Sequence, residues 1–170
     1  MSITRIGQGL FALICPLMLG CPGSPINRVD DHSDFEVFEY GFGGPLFGTG
    51  DVLTGATISR KPDSKYQYEA AIRSSNPEAT TDADGLIHLP ARILSEDEVA
   101  RMRTAFSHVE IHTNLSYQLC PTDQFVFNFR WDDFEGVNSL ACPQLGGQVV
   151  NDPSVNEISQ LMDDFWHAGE

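Results

Sequence analysis

The sequence predicts an α+β fold, with an antiparallel sheet of about five to seven strands and two main helices packed on one face. Three observations lead to this prediction. Aromatic residues alternate along residues 125–131, a capping box begins at Ser95, and an apolar stripe with helical spacing runs through residues 155–165. The resulting order is strands, a capped helix, further strands and a closing helix, which favours antiparallel strand pairing.

Strand composition recurs along the chain, with β-branched and aromatic residues at alternating positions. The predicted strands are residues 35–40, 52–60, 66–72, 86–89, 108–112, 125–131 and 137–142. The clearest of them places its aromatic residues on one face: Phe125, Phe127, Phe129 and Trp131. This stripe predicts a core face packed against a helix, and the alternative is the lining of a ligand cleft. Residues 132–136 are predicted to form the turn that leads into the last strand.

Two helices are predicted from their start signals and their apolar spacing. Ser95 and Glu98 form a capping box, and apolar residues follow at helical spacing, which predicts a helix over residues 96–107. Near the end of the chain, Asp152 or Ser154 is the predicted cap of a helix that continues to about Trp166.

The N-terminal segment has the layout of a secretory signal. Arg5 precedes an apolar run from Leu10 to Leu19, which is shorter than the approximately 20 residues that a membrane span needs. The run ends in Leu17-Met18-Leu19-Gly20-Cys21, which resembles the lipobox of bacterial prolipoproteins. The resemblance implies that residues 1–20 are a signal peptide that is removed and that Cys21 carries a lipid (diacylglycerol and palmitate-type chains) as a membrane anchor. The alternative is an ordinary signal peptide cut near Gly20.

Lipidation of Cys21 and removal of Cys15 would leave Cys120 and Cys142 as one pair in an export compartment, where disulfides persist. We therefore predict a Cys120–Cys142 disulfide bond. A two-cysteine metal site is the alternative, although no neighbouring His completes it at the usual spacing.

The remaining chain is predicted to consist of a tether and one domain. Residues 21–34 would be the lipidated cysteine and a flexible tether, because they are rich in Pro, Gly and Asp, and residues 35–170 would be a single α+β domain. Pro22 stands where an inner-membrane retention signal would have Asp. The outer membrane is therefore favoured over the inner one in a cell with two membranes.

The composition is strongly acidic. Without residues 1–20 the chain has 9 Lys and Arg against 24 Asp and Glu, a net charge of −15. Such a surface repels nucleic acid, which excludes nucleic-acid partners from the prediction. The acidity is typical of a soluble domain, and attraction of cations or basic peptides is the alternative.

His108, Glu110 and His112 are the candidate metal ligands. On a strand their side chains would share one face, and two imidazoles with a carboxylate are ligands that zinc accepts. The alternative is the solvent side of an edge strand, with the intervening Val109 and Ile111 in the core.

The glycine-rich stretch 41–50 matches neither phosphate-binding pattern, because it has no Lys after its glycines and lacks the G-x-G-x-x-G spacing. Its apolar residues Phe42, Leu46 and Phe47 are the candidate contact surface for a partner, and the alternative is that they pack inward. No catalytic signature is found elsewhere, and no cofactor is predicted.

Thr122-Asp123, the aromatic strand after it and the last amphipathic helix resemble domains of unknown function in bacterial lipoproteins, over residues 35–166. That resemblance implies no particular activity. The sequence thus predicts a cell-envelope lipoprotein with a binding or assembly role, whose partners are the membrane, through its lipid, and an envelope protein. The alternative is a metal-dependent enzyme or metal carrier that uses His108, Glu110 and His112.

Overall fold

A computed structural model of the protein describes residues 27–43, 50–113, 126–132, 134–139 and 147–169. Within these residues there are two helices, α1 and α2, and strands β1 to β10. In chain order they are β1 (Asn27–Asp30), β2 (Val37–Gly43), β3 (Val52–Arg60), β4 (Tyr66–Arg73), β5 (Ile87–His88), β6 (Arg92–Ile93), α1 (Glu96–Phe106), β7 (Val109–Thr113), β8 (Val126–Trp131), β9 (Phe134–Ser139), β10 (Gln148–Val150) and α2 (Asp152–His167).

The strands pair in the order β1-β7-β10-β9-β8-β2-β3-β4-β5, and β6 pairs with β4 beside β5. Every described pairing is antiparallel except that of β10 with β9, which consists of the single register Val149 opposite Val137. The sheet is therefore a seven-stranded antiparallel part joined through this contact to a three-stranded part, β1-β7-β10. The predicted α+β class is confirmed.

Both helices pack on the same face of the sheet, as predicted. Phe106 of α1 contacts the ring of Phe38 on β2 with a centroid distance of 4.6 Å. From α2, the backbone carbonyl of Met162 accepts a 3.0 Å hydrogen bond from the Tyr68 hydroxyl on β4. The capping box is also present, since the Ser95 hydroxyl accepts from the Glu98 amide and the Glu98 carboxylate accepts from the Ser95 amide.

The aromatic stripe of β8 is a core face over most of its described length. Phe129 and Trp131 are 1% and 2% exposed, while Phe127 is half-buried and packs against the core. Phe125 lies outside the described residues. The opposite face of β8 is exposed, and Arg130 there donates to the Glu39 carboxylate at 2.5 Å.

The hairpin after β8 is tighter than predicted. Trp131 pairs directly with Phe134, so β9 begins three residues before the predicted strand. Asp132 adopts a positive φ of 45°, and its carboxylate accepts hydrogen bonds from the amides of Glu36 and Val37. These long-range hydrogen bonds fix Asp132 against the start of β2. A local sequence pattern cannot predict them.

The predicted flexible tether is wrong for residues 27–34. β1 pairs antiparallel with β7, with Arg28 opposite Ile111 and Asp30 opposite Val109. Beyond the strand, the amide of His32 donates to the Phe106 carbonyl at 2.7 Å. Backbone pairing at the edge of the sheet holds this strand, so it does not need a row of buried apolar side chains. Its sequence therefore lacks the apolar alternation that marks the other strands.

His32 fixes this segment to the core. Its ring stacks on Trp131 with a centroid distance of 4.8 Å and an interplanar angle of 17°, and it lies 4.7 Å from the ring of Phe134. The Nε2 atom is buried and has no hydrogen-bond partner among the described atoms. Burial lowers the pKa of His32, and the negative charges of Asp30 and Asp31 offset this only in part.

This environment predicts a loss of stability in mild acid. Because the unfolded chain takes up a proton on His32 that the folded protein resists, the free energy of unfolding should fall as the pH drops below about 6.5. We expect His32→Phe, which keeps a ring on Trp131, to show a smaller difference between urea unfolding curves at about pH 7.5 and about pH 5.5. An equal difference in the variant and the wild type would assign the effect to other groups.

Candidate functional site

A cleft of about 480 Å³ opens between α2 and the sheet, at the Gly43 end of β2. Its floor is aromatic. The rings of Phe42 and Phe127 lie 5.1 Å apart, those of Tyr40 and Phe127 lie 6.2 Å apart, and Trp166 of α2 completes the floor. Phe42 and Phe127 pair across β2 and β8, and both rings are only partly buried, so they line the cleft.

One wall of the cleft is a polar stripe on α2. Its members recur at positions i, i+3, i+4 and i+7, so they share one side of the helix. They are Asn156, Ser159, Gln160 and Asp163. The apolar stripe of the same helix, which includes Ile158, Met162 and Phe165, is turned into the core.

The facing wall is the start of β3 and the residue before it. Asp51, Val52 and Leu53 line the cleft there. The Asp51 carboxylate is held in place, because its Oδ1 atom accepts from the Ser74 hydroxyl at 2.7 Å and from the Ser75 amide at 3.1 Å. These bonds join the ends of β3 and β4 and fix one acidic group at the rim.

Asp163 supplies negative charge near the floor. Burial raises the pKa of the Tyr40 phenol, and the Asp163 charge raises it further. The pKa of Tyr68 is likewise raised, mainly by burial, with Asp163 again contributing. Both phenols therefore stay protonated as hydrogen-bond donors. Ser159 lies next to Tyr40, and its hydroxyl offsets part of the rise in the Tyr40 pKa.

Of the three predicted partner-contact residues, Phe42 lies in this cleft. It is half-buried and packs against the core while part of its ring faces the opening. Leu46 and Phe47 lie outside the described residues. Cys21, Cys120 and Cys142 do as well, so the lipidation site and the disulfide stay predictions.

The structure does not bring the predicted metal ligands together. His108 lies in the turn before β7, and its Nε2 atom is 3.1 Å from the Glu157 carboxylate. His112 Nδ1 lies 2.5 Å from the Asn151 side-chain oxygen, and the Asn151 side-chain nitrogen donates to the Glu110 carboxylate at 3.3 Å. Within the described ranges, no three His, Cys, Asp or Glu residues form a group that could hold a metal ion. The prediction required all three side chains on one strand face, but β7 begins only at Val109.

The same contacts explain why α2 is not capped as predicted. Asn151 is the N-cap residue, yet its side chain makes no capping bond, because it is engaged by His112 and Glu110. Ser154, one of the two predicted caps, instead accepts a 2.9 Å hydrogen bond from the Glu110 amide. The start of α2 is therefore fixed to β7 by the side chains of Asn151 and Ser154, and of these two only Ser154 was predicted from the sequence to cap the helix.

Sequence reasoning missed the polar wall of the cleft. The spacing of Asn156, Ser159, Gln160 and Asp163 was visible as a second stripe beside the apolar one, but a polar helix face is usually only a solvated face. What distinguishes it is the opposing aromatic floor, which comes from β2 and β8.

Comparisons with protein-family models, with curated proteins and with solved structures find no match to this chain. Across the described parts of the chain, neither helix has the length and apolar character needed to cross a membrane.

Proposed function

We propose that this protein is a bacterial cell-envelope lipoprotein with a non-enzymatic role, which binds another molecule in the cleft between α2 and the sheet. The observation that carries the proposal is the cleft itself: an aromatic floor of Tyr40, Phe42, Phe127 and Trp166 beside one polar helix stripe. Binding sites for small groups are typically concave and largely apolar, with a few polar side chains that fix orientation.

The polar groups of the cleft are suited to recognition. They are hydroxyl, carboxamide and carboxylate groups, which donate or accept hydrogen bonds. The raised pKa of Tyr40 disfavours the phenolate that would be needed for proton abstraction near neutral pH. Binding is therefore the role that these groups support best.

The proposed anchor would hold this domain close to the membrane. β1 begins at Asn27, so five residues, 22–26, separate it from Cys21. From Cys21 to Asn27 the chain can span about 20 Å at most. This is much shorter than the tether that the sequence predicts. The domain would therefore work near the bilayer surface, which we propose to be that of the outer membrane because Pro22 follows Cys21.

Replacement of Cys21 tests the anchor. We expect Cys21→Ser to move the protein from the membrane fraction to the soluble fraction, since the thiol that carries the acyl chains is lost. Intact mass of detergent-extracted wild type should show loss of residues 1–20 and the added mass of the lipid. Cys142→Ser is the matched control and should stay in the membrane fraction. A wild-type mass that matches unmodified Cys21 would overturn the anchor.

Crosslinking in intact cells tests the binding role of the cleft. A photo-crosslinking residue at Gln160, on the cleft wall, should capture a discrete molecule, and the same residue at Glu69, on the open face of the sheet, should not. Phe42→Ser should abolish the capture without lowering the yield of folded protein. Equal capture from both positions would assign no binding role to the cleft.

A further inference from the structure

We propose that the cleft recognises an organic cation: an ammonium, amidinium or guanidinium group carried on an apolar or flat body. This inference rests on the proposed role of the cleft as a binding site and names the chemistry of its ligand. Three features of the cleft point to such a ligand: the charges on its two walls, the aromatic floor and the partial burial of Asp163.

The charge of the cleft has one sign. Asp163 on α2 and Asp51 before β3 are on opposing walls, and among the described residues that line the cleft none is Lys or Arg. His167 approaches Asp163, and its Nδ1 atom lies 3.8 Å from the Asp163 carboxylate and 2.9 Å from the backbone carbonyl of Asp163. The side chain of Asp163 is 48% exposed, so a ligand can reach its carboxylate.

Asp51 is exposed at the rim, whereas Asp163 is half-buried and close enough to the Tyr40 and Tyr68 phenols to raise the pKa of each. A cation bound between the walls would be partly screened from water, where charge–charge attraction is stronger than at an open surface.

The aromatic floor adds a second attraction for the same class of ligand. The faces of Tyr, Phe and Trp rings carry negative potential, so a cation held over them is stabilised electrostatically, and an apolar body is stabilised by burial. Tyr40, Phe42, Phe127 and Trp166 provide four such rings in one cleft. An anionic ligand would meet repulsion from Asp51 and Asp163, and from a chain whose net charge is −14 overall.

Two pairs of soluble probes separate charge from shape. Benzamidine and benzamide have nearly the same shape and differ in charge, and N-acetyl-arginine amide differs from N-acetyl-citrulline amide in the same way. Binding would be measured by calorimetry near pH 8 and low salt. We expect each cation to bind about tenfold or more tightly than its uncharged partner, because charge-assisted hydrogen bonds are stronger than neutral ones. The benzamidine arm reports a free aromatic cation, and the arginine arm reports a basic side chain of a partner protein.

Localisation of the probe uses the two tryptophans of the chain. Trp166 lines the cleft and Trp131 is buried in the core away from it. Bound cation should shift the Trp166 indole N–H resonance and leave that of Trp131 in place. A shift of neither resonance, with binding intact, would place the cation elsewhere and overturn the proposal.

Matched charge removals test the assigned acids. Asp163→Asn should weaken binding of the cationic probe about tenfold and leave the affinity for its uncharged analogue unchanged. Asp84→Asn removes the same charge from an exposed turn outside the cleft and should leave both affinities unchanged. An equal loss of affinity for the cation in the two variants would mean that only the net charge of the protein attracts it. That result would overturn the proposed cation site.

The outcomes also separate this inference from the proposed function. If the uncharged probes bind as tightly as the cations and still shift the Trp166 indole N–H resonance, the cleft binds ligands but does not discriminate between them by charge. Only the cation proposal then fails. If no probe binds below about 10 mM and crosslinking from Gln160 captures nothing, both proposals fail.

Discussion

Arg92→Leu is expected to lower the free energy of unfolding by about 3 kcal/mol, because it leaves a largely buried carboxylate without its partner. The Arg92 guanidinium holds Glu98 of α1 through two hydrogen bonds of 3.0 and 2.6 Å, and it donates to the Phe165 carbonyl of α2 at 2.7 Å. The pair is shielded, with the two side chains 23% and 13% exposed. Denaturant unfolding at neutral pH measures the loss.

Arg101→Leu is the matched control. Arg101 also lies on α1 and forms an ion pair with Asp164 of α2, but the two side chains are 53% and 36% exposed. Exposed pairs contribute about 0–1 kcal/mol, so this variant should lose little stability. Glu98→Gln added to Arg92→Leu should restore part of the loss. No restoration would mean that lost packing, and not the unpaired charge, causes the effect.

The same pair predicts acid sensitivity. Hydrogen bonds from Arg92 and Ser95 lower the pKa of Glu98 to about 2. The unfolded chain takes up a proton at about pH 4.5, whereas the folded protein does so only near pH 2, so stability falls as the pH drops through this window. In Arg92→Leu the slope of stability against pH between these values should be smaller than in the wild type.

Phe106→Ala is expected to cost about 4 kcal/mol, since a fully buried phenylalanine leaves a cavity. Phe106 is 0% exposed, and its ring contacts Phe35, Phe38 and Trp131 at centroid distances of 5.4, 4.6 and 5.3 Å. Its carbonyl also accepts from the His32 amide, so the loss should loosen the segment after β1. Denaturant unfolding gives the magnitude, and hydrogen exchange of the His32 amide reports the local opening.

Phe42→Ala makes the same chemical change at the edge of the core. Phe42 is half-buried and faces the cleft, so fewer contacts are lost and the cost should be well below that of Phe106→Ala. Similar costs for the two variants would place Phe42 in the core and remove it from the candidate binding surface.

Much of the fold was predictable from the sequence because its strongest elements have local signals. The capping box at Ser95 and the apolar stripe of α2 predicted both helices to within a residue or two. The alternation in β8 predicted which face is buried, because side chains of a strand point to opposite sides of the sheet. The edge strand β1 was missed, since its four residues form backbone pairs with β7 and show no apolar period.

The candidate site was predictable only in small part. Phe42 was singled out as a contact residue, but the polar wall on α2 and the acid Asp51 were not. The predicted metal ligands shared a sequence pattern, yet their partners, Glu157 and Asn151, come from the end of the chain. Which side chains meet depends on residues far apart in sequence, and spacing along one strand contains no information about them.

The sequence by itself determined the α+β class, the two helices and the buried face of β8, because hydrophobic periodicity and capping act within a few neighbouring residues. It also supplies the lipobox-like stretch that ends at Cys21, on which the proposed anchor depends. Only the tertiary structure decided that the sheet begins at Asn27, and that Asp51 and Asp163 lie on opposing walls above aromatic rings. These features arise when strands and helices distant in the chain pack together, because packing, and not local propensity, sets which surfaces enclose a cleft.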